Sequence, residues 1–355
     1  MALITLLLHV ATSLVIRAPF LSPVSLAATR LAGVQCSATP AASANPADDW
    51  GGLPAAIAAS RCGAINTQLV KAADAEGVLE LVDKNGPALN AVNCATALHR
   101  LASHLKRQRV QRDFVKRDRR FAALVAATVE RAPSCNPRSV SDVLWACATL
   151  GVWPAEMLKP LLTQVSAHLQ RDAFEAQHLA LVAWAFAVLE CKPVVLLTLI
   201  EKSALKQLSA FNPQNLANLL WGFAKLKHTP SALLPSITAR ISEPTLLAKL
   251  KPVEIADISF AISVLGSAEE QGALMVSLAS LAEQGAPLSR FTSRQLVVLI
   301  ASFARLDLRP AQLEAWTAAV RHRGHVIHTH KYKYKWTAAR LTLGLPTCMT
   351  AGTYS

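Results

Sequence analysis

Phe211-Asn-Pro-Gln-Asn-Leu-Ala-Asn-Leu-Leu-Trp221-Gly-Phe-Ala-Lys-Leu226 decides the fold, because the chain repeats its pattern. Counterparts run Cys135 to Leu150, Phe174 to Leu189, Leu250 to Leu265 and Phe291 to Leu306. The period of about 39 residues is that of stacked supersecondary units rather than of a globule around one pocket. With Leu216 as reference, the equivalents are Val140, Leu179, Ile255 and Leu296. Three residues on come Val143, Val182, Leu219, Ile258 and Leu299; seven on come Cys147, Phe186, Phe223, Ile262 and Phe303; ten on, always Leu. That spacing puts these side chains on one face of an α-helix.

The boundaries repeat too. Pro137, Pro213 and Pro252 stand three residues before the reference, and Asn136 and Asn212 precede two of them. Asn as N-cap with Pro at the first helical position starts a helix. Pro154, Pro193, Pro230 and Pro310 each fall four residues after the closing Leu, with Glu269 in their place in the fourth copy. Pro ends one helix and opens another. Each unit therefore reads as helix, turn, helix. A degenerate earlier copy, Leu89-Asn-Ala-Val-Asn-Cys-Ala-Thr-Ala-Leu-His99, puts His99 where the next copy has Trp145. The expected fold is all-α, an α-solenoid of stacked helical hairpins. Its expected divisions are a targeting presequence over 1–47, a helical cap over 48–88, the repeats over 89–320 and a basic, disordered tail over 321–355.

Composition agrees. Hydrophobic residues make up 52% of the 355, enough for a continuous core, and only 14 are Gly. The net charge of +13, from 36 Lys+Arg against 23 Asp+Glu, suits a polyanionic partner, nucleic acid or an acidic membrane surface. Seven scattered Cys without C-x-x-C or zinc spacing read as buried, reduced thiols. Residues 1–47 hold no Asp or Glu. The apolar run from Met1 to Ile16, too short for a membrane span, reads as a signal-like core before a transit-like stretch. This resembles the bipartite leader of a complex plastid; a mitochondrial presequence is the alternative.

The stretch Asn212 to Leu226, with Val140-Ser-Asp-Val-Leu-Trp-Ala-Cys-Ala-Thr-Leu-Gly151 and Ala183-Trp-Ala-Phe-Ala-Val-Leu189, resembles the octotricopeptide repeat. The resemblance covers residues 89–320 and weakens where Phe260 and Ala301 replace Trp. It implies an RNA-binding α-solenoid acting in processing, stabilisation or translation of organellar transcripts, related to the RAP and FAST-kinase-like group. The implied partners are single-stranded RNA and proteins of an organellar RNA-processing complex, with no membrane in the mature form. No RAP domain is visible in the sequence. The alternative function is a protein-interaction scaffold.

Candidate RNA contacts sit just inside the first helices, where the frame is constant and the chemistry varies. They are Arg138, Gln177, Gln214 and Arg294 two residues before the reference, His178 and Asn215 one before it, and Asn218 two after it. The basic stretch adds Lys106, Arg107, Arg109, Arg112, Lys116, Arg117, Arg119 and Arg120, whose density suits phosphates. Trp145, Trp184 and Trp221 are expected to fill contacts between units rather than meet a ligand. His322, His325, His328 and His330 lack carboxylate or Cys partners, and no metal or cofactor is implied. The chain has no Walker A loop, dinucleotide fingerprint, H-E-x-x-H or nucleophile elbow, so no enzyme activity is expected.

Overall fold

Asparagine side chains start the helices in the computed structural model, which describes residues 55–284 and 288–327. Asn90, Asn136 and Asn212 accept from the backbone N–H three residues on, at 2.8–2.9 Å, and Thr292 does so at 3.3 Å. Proline follows as the first helical residue at Pro137, Pro213 and Pro252. The expectation of Asn–Pro starts thus holds, and Asn90 extends it to the degenerate copy. The described residues fall into two compact units that divide after Ile237, so the repeats expected as one run over 89–320 are shared between them.

In the larger unit the helices are α1 (Ala55–Lys71), α2 (Ala75–Asn85), α3 (Ala91–Leu105), α4 (Arg109–Val115), α5 (Arg119–Arg131), α6 (Pro137–Leu150), α7 (Ala155–Gln170), α8 (Ala176–Val188), α9 (Val194–Lys206) and α10 (Pro213–Lys225). The division falls inside α11 (Leu233–Ile241). Helices α1, α3, α6, α8 and α10 pack each on the next and form one layer. Helices α2, α5, α7 and α9 form the second layer in the same way. The segment expected as a cap is therefore itself a hairpin of the stack. It is joined to its neighbour by Asn93 Nδ2, which donates to the Cys62 carbonyl at 3.0 Å.

The smaller unit holds α12 (Pro244–Leu247), α13 (Pro252–Leu265), α14 (Ala268–Gln284), α15 (Ser293–Arg305) and α16 (Leu313–Ile327). Helix α13 packs on α14 and α15, and α15 on α16. Trp316 of α16 is wholly buried and meets Phe303 edge-on, ring centroids 5.5 Å apart. Helix α16 extends to Ile327, past residue 321 where the tail is expected to begin; residues 328–355, like the expected presequence over 1–47, lie outside the described residues.

The apolar columns form the core. The reference residues and those three and seven positions on are buried in every copy, from Cys94 to Phe303. Small residues of the first-layer helices are buried as well, among them Ala146, Ala183, Ala185, Ala217 and Ala224. Gly222 marks the closest approach: a Cβ there would lie 2.8 Å from the Ala183 carbonyl oxygen.

Helix ends follow a rule that only Gly151 signals in the sequence. The residue after the closing Leu turns left-handed at Gly151, Glu190, Lys227 and Asp307, with φ between 51° and 67°. The next N–H then bonds back across the last turn, as in Val152 to Cys147, Cys191 to Phe186, His228 to Phe223 and Leu308 to Phe303, at 2.9–3.0 Å. This is the Schellman closure. The fourth copy, which lacks the following proline, lacks this closure too: Gly266 is extended, with φ −118°.

Three hairpins are also clasped at their open end. Arg131, His168 and Gln207 side chains, at the ends of second-layer helices, bond to the carbonyls of Leu89, Cys135 and Phe174 at 3.3, 2.8 and 2.9 Å. The geometry recurs while the residue type does not, so no sequence pattern announces it.

Candidate nucleic-acid interface

Each first-layer helix leaves one stripe uncovered. Its members are two residues before the reference and two, five and nine after it, a spacing of four, three and four that keeps one helical face. In α6 the stripe is Arg138, Asp142, Trp145 and Thr149; in α8, Gln177, Leu181, Trp184 and Val188; in α10, Gln214, Asn218, Trp221 and Lys225. Helix α3 carries Val92, Thr96, His99 and Ser103. In the smaller unit, α13 carries Val253, Asp257, Phe260 and Val264, and α15 carries Arg294, Val298, Ala301 and Arg305. The first residue of every stripe is exposed and the others are half-buried.

This corrects the expectation for the tryptophans. Trp145, Trp184 and Trp221 are half-buried on the open face. The rings have partners at the surface: His99 lies against Trp145 with centroids 4.7 Å apart, and Lys225 Nζ lies 5.9 Å from the centre of the Trp221 ring.

The position one before the reference has a different task. It is the third helical residue, and in four of the six copies its side chain accepts from the backbone N–H at the helix start. His178 Nδ1 accepts from Glu175 at 3.3 Å, Glu254 Oε2 from Lys251 at 2.8 Å and Gln295 Oε1 from Thr292 at 2.8 Å. Asn93 Oδ1 does the same for Asn90 at 3.3 Å. In those four copies the varying side chain does capping work. His178 is buried on this duty, and burial lowers its pKa. Asn215 shares the position, half-buried.

The remaining candidates are reachable. Arg138, Gln177, Gln214 and Arg294 are exposed and Asn218 is half-buried. Arg138 Nε stands 3.7 Å from Asp142 Oδ2. Burial raises the Asp142 pKa against the pull of His99 and Arg138, and burial lowers that of His99. Both shifts favour the uncharged forms. Asp257, at the equivalent position of α13, is pushed up to about 7 by burial, with Arg294 opposing.

The basic stretch separates into anchors and free cations. Arg112 is buried and donates from Nη1 to the Thr149 carbonyl at 2.9 Å, which docks α4 on the C-terminal end of α6. Arg120 is held by Asp118 and by Glu76 of α2, at 2.7 and 2.6 Å, and these bonds raise its pKa. Arg119 reaches Asp83 at 3.3 Å and Lys116 reaches Asp113 at 3.4 Å. Arg112 and Arg120 thus hold neighbouring helices together. Lys106, Arg107, Arg109 and Arg117 are exposed and make no ion pair among the described residues.

The described cysteines are free thiols, and four of the five are buried. Burial pushes Cys94 and Cys147 up to about 12, so neither is a nucleophile at neutral pH. Among the described residues no group of His, Cys, Asp and Glu has the arrangement to hold a metal ion.

No family model matches the sequence. The chain is 32% identical over 138 residues to a RAP domain-containing protein, chloroplastic, from Oryza sativa subsp. japonica. The match covers 35% of this chain and 21% of that protein, so the chain spans about a fifth of its length.

Proposed function

We propose that this chain is an RNA-binding protein of the plastid, acting in the processing, stabilisation or translation of organellar transcripts by binding rather than by turnover. The observation that carries this reading is the open stripe of the first-layer helices. Each stripe begins with an exposed residue at a helix N-terminus, where backbone N–H groups and the helix dipole favour a phosphate. About 10 Å along the same face lies a half-exposed ring or its replacement, suited to a stacked base. Repetition from α6 through α8 to α10 offers one such pair per hairpin to a single strand.

Further support comes from the +13 charge, the resemblance to octotricopeptide repeats and the partial similarity to a chloroplastic RAP domain-containing protein. The acid-free first 47 residues suit an imported protein. No described helix is long and apolar enough to cross a membrane.

The test is binding of labelled single-stranded RNA to the full chain over a salt series. Binding should weaken with a log–log slope of about −0.7 per neutralised phosphate. Exchange of Arg138, Gln177 and Gln214 together for alanine should weaken it further, with thermal unfolding unchanged because these side chains are exposed. Failure to bind any RNA at low salt would sink the reading. The second reading, a protein-interaction scaffold, draws on Val92 and Val253, which are exposed at the same stripe position. It predicts a partner held without steep salt dependence.

A further inference from the structure

Helix α4 presents an apolar pair that the fold does not use. Val110 and Phe114, four residues apart on one face, are 70% and 68% exposed. The opposite face is fixed by buried Arg112 on the Thr149 carbonyl, so the pair is held outward rather than left on a loose loop. Around it stand Arg109 on the helix, Lys106 and Arg107 before it, and Arg117 after it, all exposed. The one acidic residue of the helix, Asp113, is engaged by Lys116.

An exposed aromatic ring among unpaired cations is complementary to a single-stranded nucleic acid, whose bases stack and whose phosphates are anionic. Position strengthens the case. Thr149, whose carbonyl anchors α4, is the last member of the α6 stripe, so α4 stands at the C-terminal end of the face that carries Arg138, Asp142 and Trp145.

We propose that α4 is an additional RNA contact, outside the repeat frame, where one base of a single strand stacks on Phe114 beside Val110 and the flanking phosphates meet Arg109 and Arg117. The proposal rests on the reading of the protein as RNA-binding. It assigns to the basic stretch a clamp at one end of the strand.

The test uses the full chain and a fluorescein-labelled, unstructured RNA of about 20 nucleotides, long enough to cover several stacking sites. Phe114→Ala should weaken binding about 5- to 150-fold, the range for loss of one stacked base. Arg109→Ala with Arg117→Ala should lower the magnitude of the salt slope by about 1.4. Thermal unfolding should stay unchanged in both variants, since all three side chains are exposed. Photocrosslinking with 4-thiouridine RNA should label the peptide containing Phe114. Wild-type binding with unchanged affinity in Phe114→Ala would overturn the α4 clamp and leave the stripe reading intact. Absence of RNA binding by the wild type would overturn both. Phe114-dependent binding to phosphatidylglycerol vesicles without an effect on RNA would overturn the clamp and assign the pair to a membrane surface.

Discussion

Replacing Gly222 by alanine adds one methyl group at the narrowest point between α8 and α10. That methyl would lie 2.8 Å from the Ala183 carbonyl oxygen, 2.9 Å from its carbonyl carbon and 3.2 Å from the Trp184 nitrogen. Ordinary contacts are about 3.5–4.0 Å, so the helices must separate by roughly 0.6 Å or more. All three obstructing atoms are backbone, and no side chain can rotate away. Overpacking of this kind costs about 1–3 kcal/mol. Alanine returns about 1 kcal/mol through its better helix propensity. The backbone obstruction puts the cost at the upper end, so Gly222→Ala should lose about 1–2 kcal/mol. That corresponds to a fall in Tm of about 2–8 °C for a unit of this size. Urea unfolding followed by circular dichroism measures it as a lower midpoint at unchanged slope. The separation also moves Trp184 and Trp221 apart, so RNA affinity should fall even where the protein stays folded. A variant as stable as wild type, or more stable, would refute the close approach of the two helices.

Two further outcomes follow from the helix ends and from one buried carboxyl. Glu190 and Lys227 hold left-handed backbone, with φ of 54° and 51°, at a cost of about 1–2 kcal/mol each that glycine would not bear. After the entropy glycine adds to the unfolded chain, Glu190→Gly and Lys227→Gly should each stabilise by about 0.5–1 kcal/mol, read as a higher urea midpoint. Asp257 keeps its proton in the folded protein up to about pH 7, whereas the unfolded chain releases it near 4. The stability from that proton is intact below about pH 4 and is lost as pH rises towards 7. Asp257→Asn cannot ionise, so its unfolding free energy should match wild type at acid pH and exceed it at pH 8, by about 1–3 kcal/mol after allowance for the half-exposed site, read from urea midpoints at the two pH values.

Much of the frame was legible because it is written in volume and period. Leu216, Leu219 and Phe223 with their equivalents name the buried face, and Asn212–Pro213 and Pro230 name its limits. The tryptophans misled for a definite reason. A periodicity count scores Trp as apolar and places it inside, yet Trp145, Trp184 and Trp221 lie half-buried on the open face. Beside Trp221 the two helices approach so closely at Gly222 that even a Cβ would meet the Ala183 backbone. Residues one before the reference misled for the opposite reason: His178, Glu254 and Gln295 differ in chemistry but share an acceptor atom aimed at the same backbone N–H. The left-handed closures at Glu190, Lys227 and Asp307 carry no glycine to mark them. The split of the basic stretch depends on which arginines find a carbonyl or carboxylate in a neighbouring hairpin, which no local pattern encodes.

The clasps from Arg131, His168 and Gln207 to the carbonyls of Leu89, Cys135 and Phe174 carry a consequence for how such a chain lengthens. In each case donor and acceptor lie in the same hairpin, 42, 33 and 33 residues apart, near its two extremities. Copying or excising one segment at the short connection after Gln207 takes both ends of the bond together. The junction then leaves no orphaned acceptor. The clasp makes each hairpin transferable, so the number of hairpins can change by whole steps while the bonds inside every one stay intact.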